Sequence, residues 1–382
     1  MLVESSLRHS AYALFTIDPM VSARTIDRKQ WLGYRWERHG LAVAATKSTI
    51  DDLLVLGIRT GRNFGEQQAL VARTDKIGST KVADVIGPDG PLSAVWSARG
   101  APHVHRATHL HFVCDAFAPQ PSDEGGEQYV ETVAVVADAI TSVLSSTMSK
   151  SDVSSLVSER VPAELLVWCE RCTSRHVPDG TFRAAGRRVQ ALIDADPSSG
   201  AAVMMPPPAV KQIAVDDAPR AMLGTYLRVN GPTSRAQYRD WAGAGTAAVA
   251  SLWKQCSDNL IRVQVDGKAS DAPESVVDAL ATAAPAEGAV LVPPNDPYLR
   301  QVDRTLLVAD KERRQQIWRA LSPPGAVLID GDVAGTWRYR RAEHGITVSA
   351  FDTVTAAARA DIEASAEKIA AIVDDDLDVR WQ

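Results

Sequence analysis

Apolar positions in the first part of the chain recur at the spacing of short helices. Thr25 precedes Ile26-Asp27-Arg28-Lys29-Gln30-Trp31-Leu32, predicting a capped helix that runs to a stop at Gly40. Ser48 opens a second helix through Leu53, Leu54, Val55 and Leu56, and Gly65 to Arg73 reads as a third. Two extended runs follow, Leu92 to Ser97 and His103 to Arg106, on either side of Arg99-Gly100-Ala101-Pro102. Three short helices and a hairpin form the pattern of a winged helix, a helix-turn-helix unit completed by a β-hairpin.

The pattern returns twice. Ala118 to Gly126 is linker-like, and helical runs follow from Tyr129 to Leu144 and from Ser151 to Arg160. The β-like Leu165-Leu166-Val167-Trp168 and the stretch ending at Phe182 to Gly186 complete a second unit, bounded by Pro206-Pro207-Pro208. The third pass reads most clearly. Its helices are Ala218 to Leu227, Arg235 to Trp241 with a stop at Gly243, and Thr246 to Lys254, followed by the alternating strand Leu260 to Gly267. Beyond Gly288 strands dominate: Ala289 to Pro294, Ala326 to Ile329, Val333 to Tyr339 and Gly345 to Phe351, with Asp330-Gly331 as a hairpin turn. A last helix, Ala356 to Val373, is followed by acidic residues Asp374 to Asp376, expected to be solvated.

The expected fold class is α+β. Winged helix 1 occupies residues 1–117, a linker helix and winged helix 2 residues 127–205, and winged helix 3 residues 209–285. Residues 286–382 form a small β-barrel-like domain with a closing helix. A length of 382 residues accommodates this, at roughly 150 residues per domain.

Composition narrows the function. Apolar residues at 45% and charged residues at 23% exclude fibrous and wholly disordered classes. Lys+Arg is 41 against 47 Asp+Glu, a net charge of −6, so any nucleic-acid surface must be a local basic patch on an acidic body. Four cysteines do not make a disulfide scaffold. The N-terminus lacks signal-peptide character and no apolar run reaches about 18 residues, so a soluble, cytoplasmic protein is expected. Neither Gly-rich phosphate loop occurs, nor G-x-S-x-G, which leaves nucleotide cofactors and a nucleophile elbow unsupported.

Two clusters could carry chemistry. His103-x-His105 and His109-x-His111 hold half of the eight histidines, and on a strand each pair would share a face. They read as DNA contacts, structural groups or metal ligands. Cys169-x-x-Cys172 followed by His176 resembles half a zinc site, with two packed thiols as the alternative and the fourth ligand not evident from spacing. Zinc is therefore the one cofactor under consideration. Arg187-Arg188, Arg313-Arg314 and Arg338 to Arg341 are basic stretches, of which Arg338, Arg340 and Arg341 are the better phosphate candidates.

Thr225 to Pro232 with Trp241-Ala242-Gly243, Pro294-Asn295-Asp296-Pro297-Tyr298-Leu299, and Leu328 to Arg338 resemble the winged-helix DNA-binding family that includes the AlkZ-like DNA glycosylases. The resemblance spans Trp31 to Phe351 and takes in the hairpin at Arg99-Gly100 and His103. It implies tandem winged helices around a concave face for double-stranded DNA, with a β domain behind. It also implies excision of alkylated bases by a Gln-x-Gln or Gln-x-Asp motif placed after a Leu-Gly-aliphatic step. That step is Leu56-Gly57-Ile58, and the catalytic positions hold Arg59 and Gly61. Arg offers no acceptor and would repel a developing oxocarbenium charge, while it suits a phosphate.

The leading expectation is therefore a monomeric DNA-binding protein in which excision by the family's route is not supported. Its contacts would be Arg59, Arg99, His103, His105, Arg106, Arg338 and Arg340. The alternative is an active glycosylase in base-excision or crosslink repair, using Gln67, Gln68 or His103. A further alternative is a scaffold or small-molecule-binding regulator on the inherited fold.

Overall fold

A computed structural model describes residues 24–42, 46–61, 63–74, 85–123, 125–195, 200–300 and 303–382. The first described stretch is strand β1 (Arg24–Ile26), ahead of α1 (Arg28–Arg38). The cap of α1 is Asp27, whose carboxylate accepts from the Gln30 N–H while Gln30 reaches back, so Thr25 lies in a strand instead of starting the helix. Next come α2 (Lys47–Leu56), capped by Thr46, β2 (Ile58–Arg59) and α3 (Gly65–Val71). Strands β3 (Leu92–Trp96) and β4 (Pro102–Arg106) form the expected hairpin, and β2 pairs with the outer side of β4. Helix α4 (Leu110–Ala116) begins where the second histidine pair was read as a strand, so His109 and His111 do not share a strand face.

The middle of the chain holds α5 (Gly126–Val143), β5 (Met148–Ser149) and α6 (Lys150–Ser158). A hairpin of β6 (Val167–Cys169) and β7 (Ser174–His176) follows, then α7 (Asp179–Arg188). Strands β8 (Leu192–Ala195) and β9 (Ala202–Met205) join β5 in a three-stranded sheet. Helix α7 was hidden by Gly180 and Gly186. Gly186 is required because a Cβ there would come within 2.4 Å of the Trp96 ring.

The next helices fall where periodicity places them: α8 (Ala218–Asn230), α9 (Arg235–Ala242) and α10 (Thr246–Gln255). Ser234 and Gln237 make a capping box, and Gly243 ends α9 in the left-handed region at φ 69°. Strands β10 (Ile261–Val265) and β11 (Lys268–Ala272) pair with each other, and β1 adds to β10 in parallel. Helix α11 (Glu274–Ala281) completes this part. Trp31, Leu32, Tyr34 and Trp36 of α1 are buried in one core with Val263, Val265, Val277 and Leu280. Helix α1 thus packs with elements more than two hundred residues away.

The C-terminal region has β12 (Ala289–Val292), α12 (Arg304–Leu307), α13 (Lys311–Ile317), β13 (Gly325–Ile329), β14 (Asp332–Arg340) and β15 (Gly345–Ala350). Helix α14 (Ala356–Val373) and β16 (Asp378–Trp381) end it. Asp330 and Gly331 both have positive φ, as the two-residue turn between β13 and β14 demands. The barrel-like expectation is corrected: the five strands form an open sheet in the order β12-β13-β14-β15-β16. Parallel strands β15 and β16 leave the sheet no return pairing to β12, and α14 covers one face through Ile362, Ala366 and Ile369. In the acidic stretch Asp374 and Asp376 are exposed as expected, whereas Asp375 accepts from the Tyr339 hydroxyl at 3.0 Å and pairs with His344 at 2.6 Å.

Candidate nucleic-acid interface

The Leu56-Gly57-Ile58 step joins α2 to β2, and only glycine fits at its centre. Gly57 has φ 91°, and a Cβ there would lie 2.5 Å from Cε1 of His105. This close approach brings β2 against β4, with Arg59 directly opposite His103. Arg59 is half-buried and lines a cavity of about 510 Å³ with Arg99, Arg300 and Arg304. Trp241, Trp318, Pro323 and Pro324 form much of the remaining wall.

Each arginine is placed by a distinct device. Arg99 sits at the β3–β4 turn with φ 57°, and its Nη1 donates to the Asp240 carbonyl at 2.6 Å. Gly243 makes room, since a Cβ on it would come within 2.7 Å of the Arg99 Cα. Arg304 lies over the Trp318 ring, 5.0 Å from its centroid. Arg300 ends the segment that begins at Asp296, and that segment is anchored by a buried ion pair. Arg73 meets both Asp296 oxygens at 2.8 and 2.7 Å, with both side chains fully buried.

The cluster is electrostatically uncomfortable in isolation. Burial, then the charges of Arg59 and Arg99, push Arg300 down to about 10. Arg59 and Arg304 are shifted the same way by burial and neighbouring arginines. Among the described residues no carboxylate forms an ion pair with Arg59, Arg300 or Arg304. An anion among these four cations would relieve their repulsion. A neighbouring cavity of about 580 Å³ shares Arg99 but balances Arg99, Arg183 and Arg187 against Asp123, Asp179 and Asp217.

Several expected contacts are corrected by burial. His103 and His105 are 3% and 0% exposed. Their rings bracket the Ser97 hydroxyl at 2.9 and 3.0 Å, and Nδ1 of His105 meets the Leu54 carbonyl at 2.9 Å. Burial lowers both below the ordinary imidazole range, His105 to about 4. These are neutral core histidines, and neither reaches a phosphate. Arg106 is paired with Asp51. Gln67 and Gln68 face the core, Gln68 donating to the Asn63 carbonyl at 2.7 Å, so neither presents an amide to a substrate. Arg338 holds the Ser322 carbonyl at 2.9 Å, beside Pro323 and Pro324 of the cavity wall, and Arg340 is exposed at the end of β14. Arg319 and Arg340 lower Arg338 after burial does, so three arginines lie near one another here.

Arg300, Arg304 and Glu66 are the residues sequence reasoning missed. Glu66 follows Gly65 at the start of α3, and its Oε2 accepts from the Gly61 backbone N–H at 2.9 Å. Burial raises its carboxyl above the usual range. The only sequence cue was an acid five residues after the motif glycine.

At the second cluster, one donor atom each of Cys169, Cys172 and His176 lies within 4.8 Å of the others, the one such group of three among the described residues. Hydrogen bonds from the Cys172 backbone, His176 and the Cys172 thiol hold the Cys169 thiol below the ordinary range.

Among the described residues, no helix is long and apolar enough to cross a membrane. No curated protein matches the chain. Among solved structures it is similar to the Streptomyces sahachiroi DNA glycosylase AlkZ, with a TM-score of 0.69 at 17% identity, covering 94% of this chain and 100% of that one. The family model for DNA glycosylase AlkZ-like proteins matches residues 65–372. The arginine cavity is thus a feature of a chain that belongs to the AlkZ-like DNA glycosylase family.

Proposed function

We propose that this protein binds double-stranded DNA as a cytoplasmic monomer, seating a backbone phosphate among Arg59, Arg99, Arg300 and Arg304. The observation that carries the reading is this cavity, where four arginines, Arg59 and Arg300 half-buried and Arg99 and Arg304 exposed, form no ion pair with a carboxylate among the described residues. The helix-and-hairpin units 218–272 and 126–205 act as winged helices that bring the duplex to it. Arg338 and Arg340 extend the same surface. Base excision by an amide pair has no support, because Arg59 and Gly61 stand at those positions. Arg59 would oppose positive charge on a sugar and favours the anion instead.

A second reading is favoured by Glu66. Its carboxylate is held against the Gly61 N–H, and burial raises it above the usual carboxylate range, the direction a general acid or base needs. On that reading the protein excises a modified base with Glu66 orienting water or countering the oxocarbenium charge.

One experiment tests both. A short duplex, with or without an alkylated base, is titrated by fluorescence anisotropy at two salt concentrations, and the complex is then assayed for abasic sites. Affinity that falls with salt supports the DNA reading. Abasic-site formation supports the second reading as well. Absence of binding at low salt overturns both.

A further inference from the structure

We propose that Cys169, Cys172 and His176 bind one Zn²⁺ ion through three protein donors, leaving a fourth position for solvent. The topology brings the ligands together. In the β6–β7 register Val167 lies opposite His176 and Cys169 opposite Ser174. Directly opposed residues share a face and alternate residues along a strand share it too, so Cys169 and His176 sit diagonally on one side. Cys172 enters from the connecting turn, which Thr173 closes at φ 48°.

Two independent observations point to a metal. Donor atoms within 4.8 Å of each other need little contraction to reach the edges of about 3.5–3.8 Å in a tetrahedron with Zn–S near 2.3 Å and Zn–N near 2.0 Å. The imidazole is also already oriented for the task. Nδ1 of His176 donates to the Val177 carbonyl at 2.8 Å, which leaves Nε2 as the nitrogen turned to the Cys169 thiol. A ring fixed by a carbonyl at one nitrogen, with the other turned to the remaining donors, is how zinc-bound histidines are held.

The hairpin also has a need for the ion. β6 and β7 form a two-stranded sheet of three residues each, joined to no other sheet. Val167 and Trp168 are 45% and 55% exposed, so burial contributes little to holding it. An isolated hairpin is marginal in water, and a metal clip supplies what the missing core does not. Glu170 does not join the three donors and its Oε1 accepts from Nε1 of Trp168 at 2.9 Å. Binding would displace one proton from each thiol, leaving two thiolates and a neutral imidazole on the ion.

The test uses the full-length chain purified under reducing conditions. Elemental analysis is expected to find about one zinc per chain, and Co²⁺ exchanged into the stripped protein should show thiolate-to-cobalt charge-transfer absorption with tetrahedral visible bands. Cys172→Ser and His176→Ala should each lower zinc affinity at least tenfold. His176→Cys should retain the metal. Far-UV circular dichroism confirms that each variant is folded. Should a variant fail to fold, the cobalt spectrum of the wild-type chain decides alone. Absence of the charge-transfer band, or stoichiometric zinc in Cys169→Ser/Cys172→Ser, overturns the proposal. A Cys169–Cys172 disulfide that forms in air and is unaffected by added zinc overturns it in favour of a redox pair.

Discussion

The Gly61 backbone N–H donates to Glu66 Oε2 at 2.9 Å, placing a carboxylate beside a residue that has no side chain of its own. Two residues earlier, Arg59 lines the arginine cavity. The short stretch from Arg59 to Gly61 thus meets two different groups, a cluster of cations and a carboxylate from the following helix.

On the excision reading, Glu66→Gln keeps an oxygen for the Gly61 N–H but loses the negative charge. Release of an alkylated base from duplex DNA should then fall by about 10²–10⁴-fold, the usual contribution of a general acid or base. Duplex affinity should stay within about twofold, since Glu66 is not one of the cations binding phosphate. Base release by the variant at the wild-type rate would remove Glu66 from the chemistry.

Arg300→Ala should weaken duplex binding and lower the slope of log affinity against log salt by about one, as expected for one lost phosphate contact. Arg59→Ala should do the same, and the double variant should lose less than the sum if both hold one phosphate. The exposed Arg340 supplies a comparison, since Arg340→Ala should act more weakly. Anisotropy titrations across a salt series measure all four. An unchanged slope in Arg300→Ala would place the DNA elsewhere.

The Arg73–Asp296 pair predicts a stability defect away from any ligand. Both side chains are fully buried, and Arg73 also donates to the carbonyls of His39 and Ala69. Asp296→Ala leaves a buried guanidinium without its counter-charge and should cost about 3–5 kcal/mol in urea unfolding. Because Asp296 also accepts from the Tyr298 N–H, the Arg300 segment should loosen and DNA affinity should fall in parallel. A loss below about 1 kcal/mol would show that the pair is not what holds the segment.

Local signals in the sequence were reliable where the chain itself decides the outcome. Gly243 and Asp330-Gly331 each specify their stop or turn within a few residues, and each is where the pattern puts it. What stayed illegible depends on distant partners. Trp31 and Trp36 follow helical spacing, but nothing in that spacing tells them to pack on Val263 and Leu280. The strand Asp378–Trp381 pairs in parallel with the edge of β15, a partner that its own four residues do not specify. At the site, Arg59 and Arg99 were legible from the motif and the hairpin turn. Arg300 and Arg304 were not, because only folding brings the Asp296 segment opposite β2. The polar histidines misled for a related reason: His103 and His105 alternate like surface residues, yet the face they share is covered, with α2 meeting His105 through the Leu54 carbonyl and the Ser97 hydroxyl lying between the two rings.

That enclosure sets the protein's response to acid. His105 is fully buried, accommodated neutral between the Leu54 carbonyl and the Ser97 hydroxyl, and burial lowers its pKa from 6.5 to about 4. Above pH 6.5 the ring is neutral in the folded and unfolded chains alike, and no stability depends on it. Between about pH 6.5 and 4 only the unfolded chain takes up the proton, so stability declines as pH falls, by about 3 kcal/mol over the window. Below about 4 both states are protonated and this contribution levels off. His103, also lowered, adds a decline in the same direction. Urea unfolding at half-unit intervals from pH 7 to 4 should show the fall, and His105→Gln should flatten it by the His105 share. A variant with the wild-type slope would mean that the imidazole is free to ionise in the folded protein, and that the hairpin opens to admit the proton.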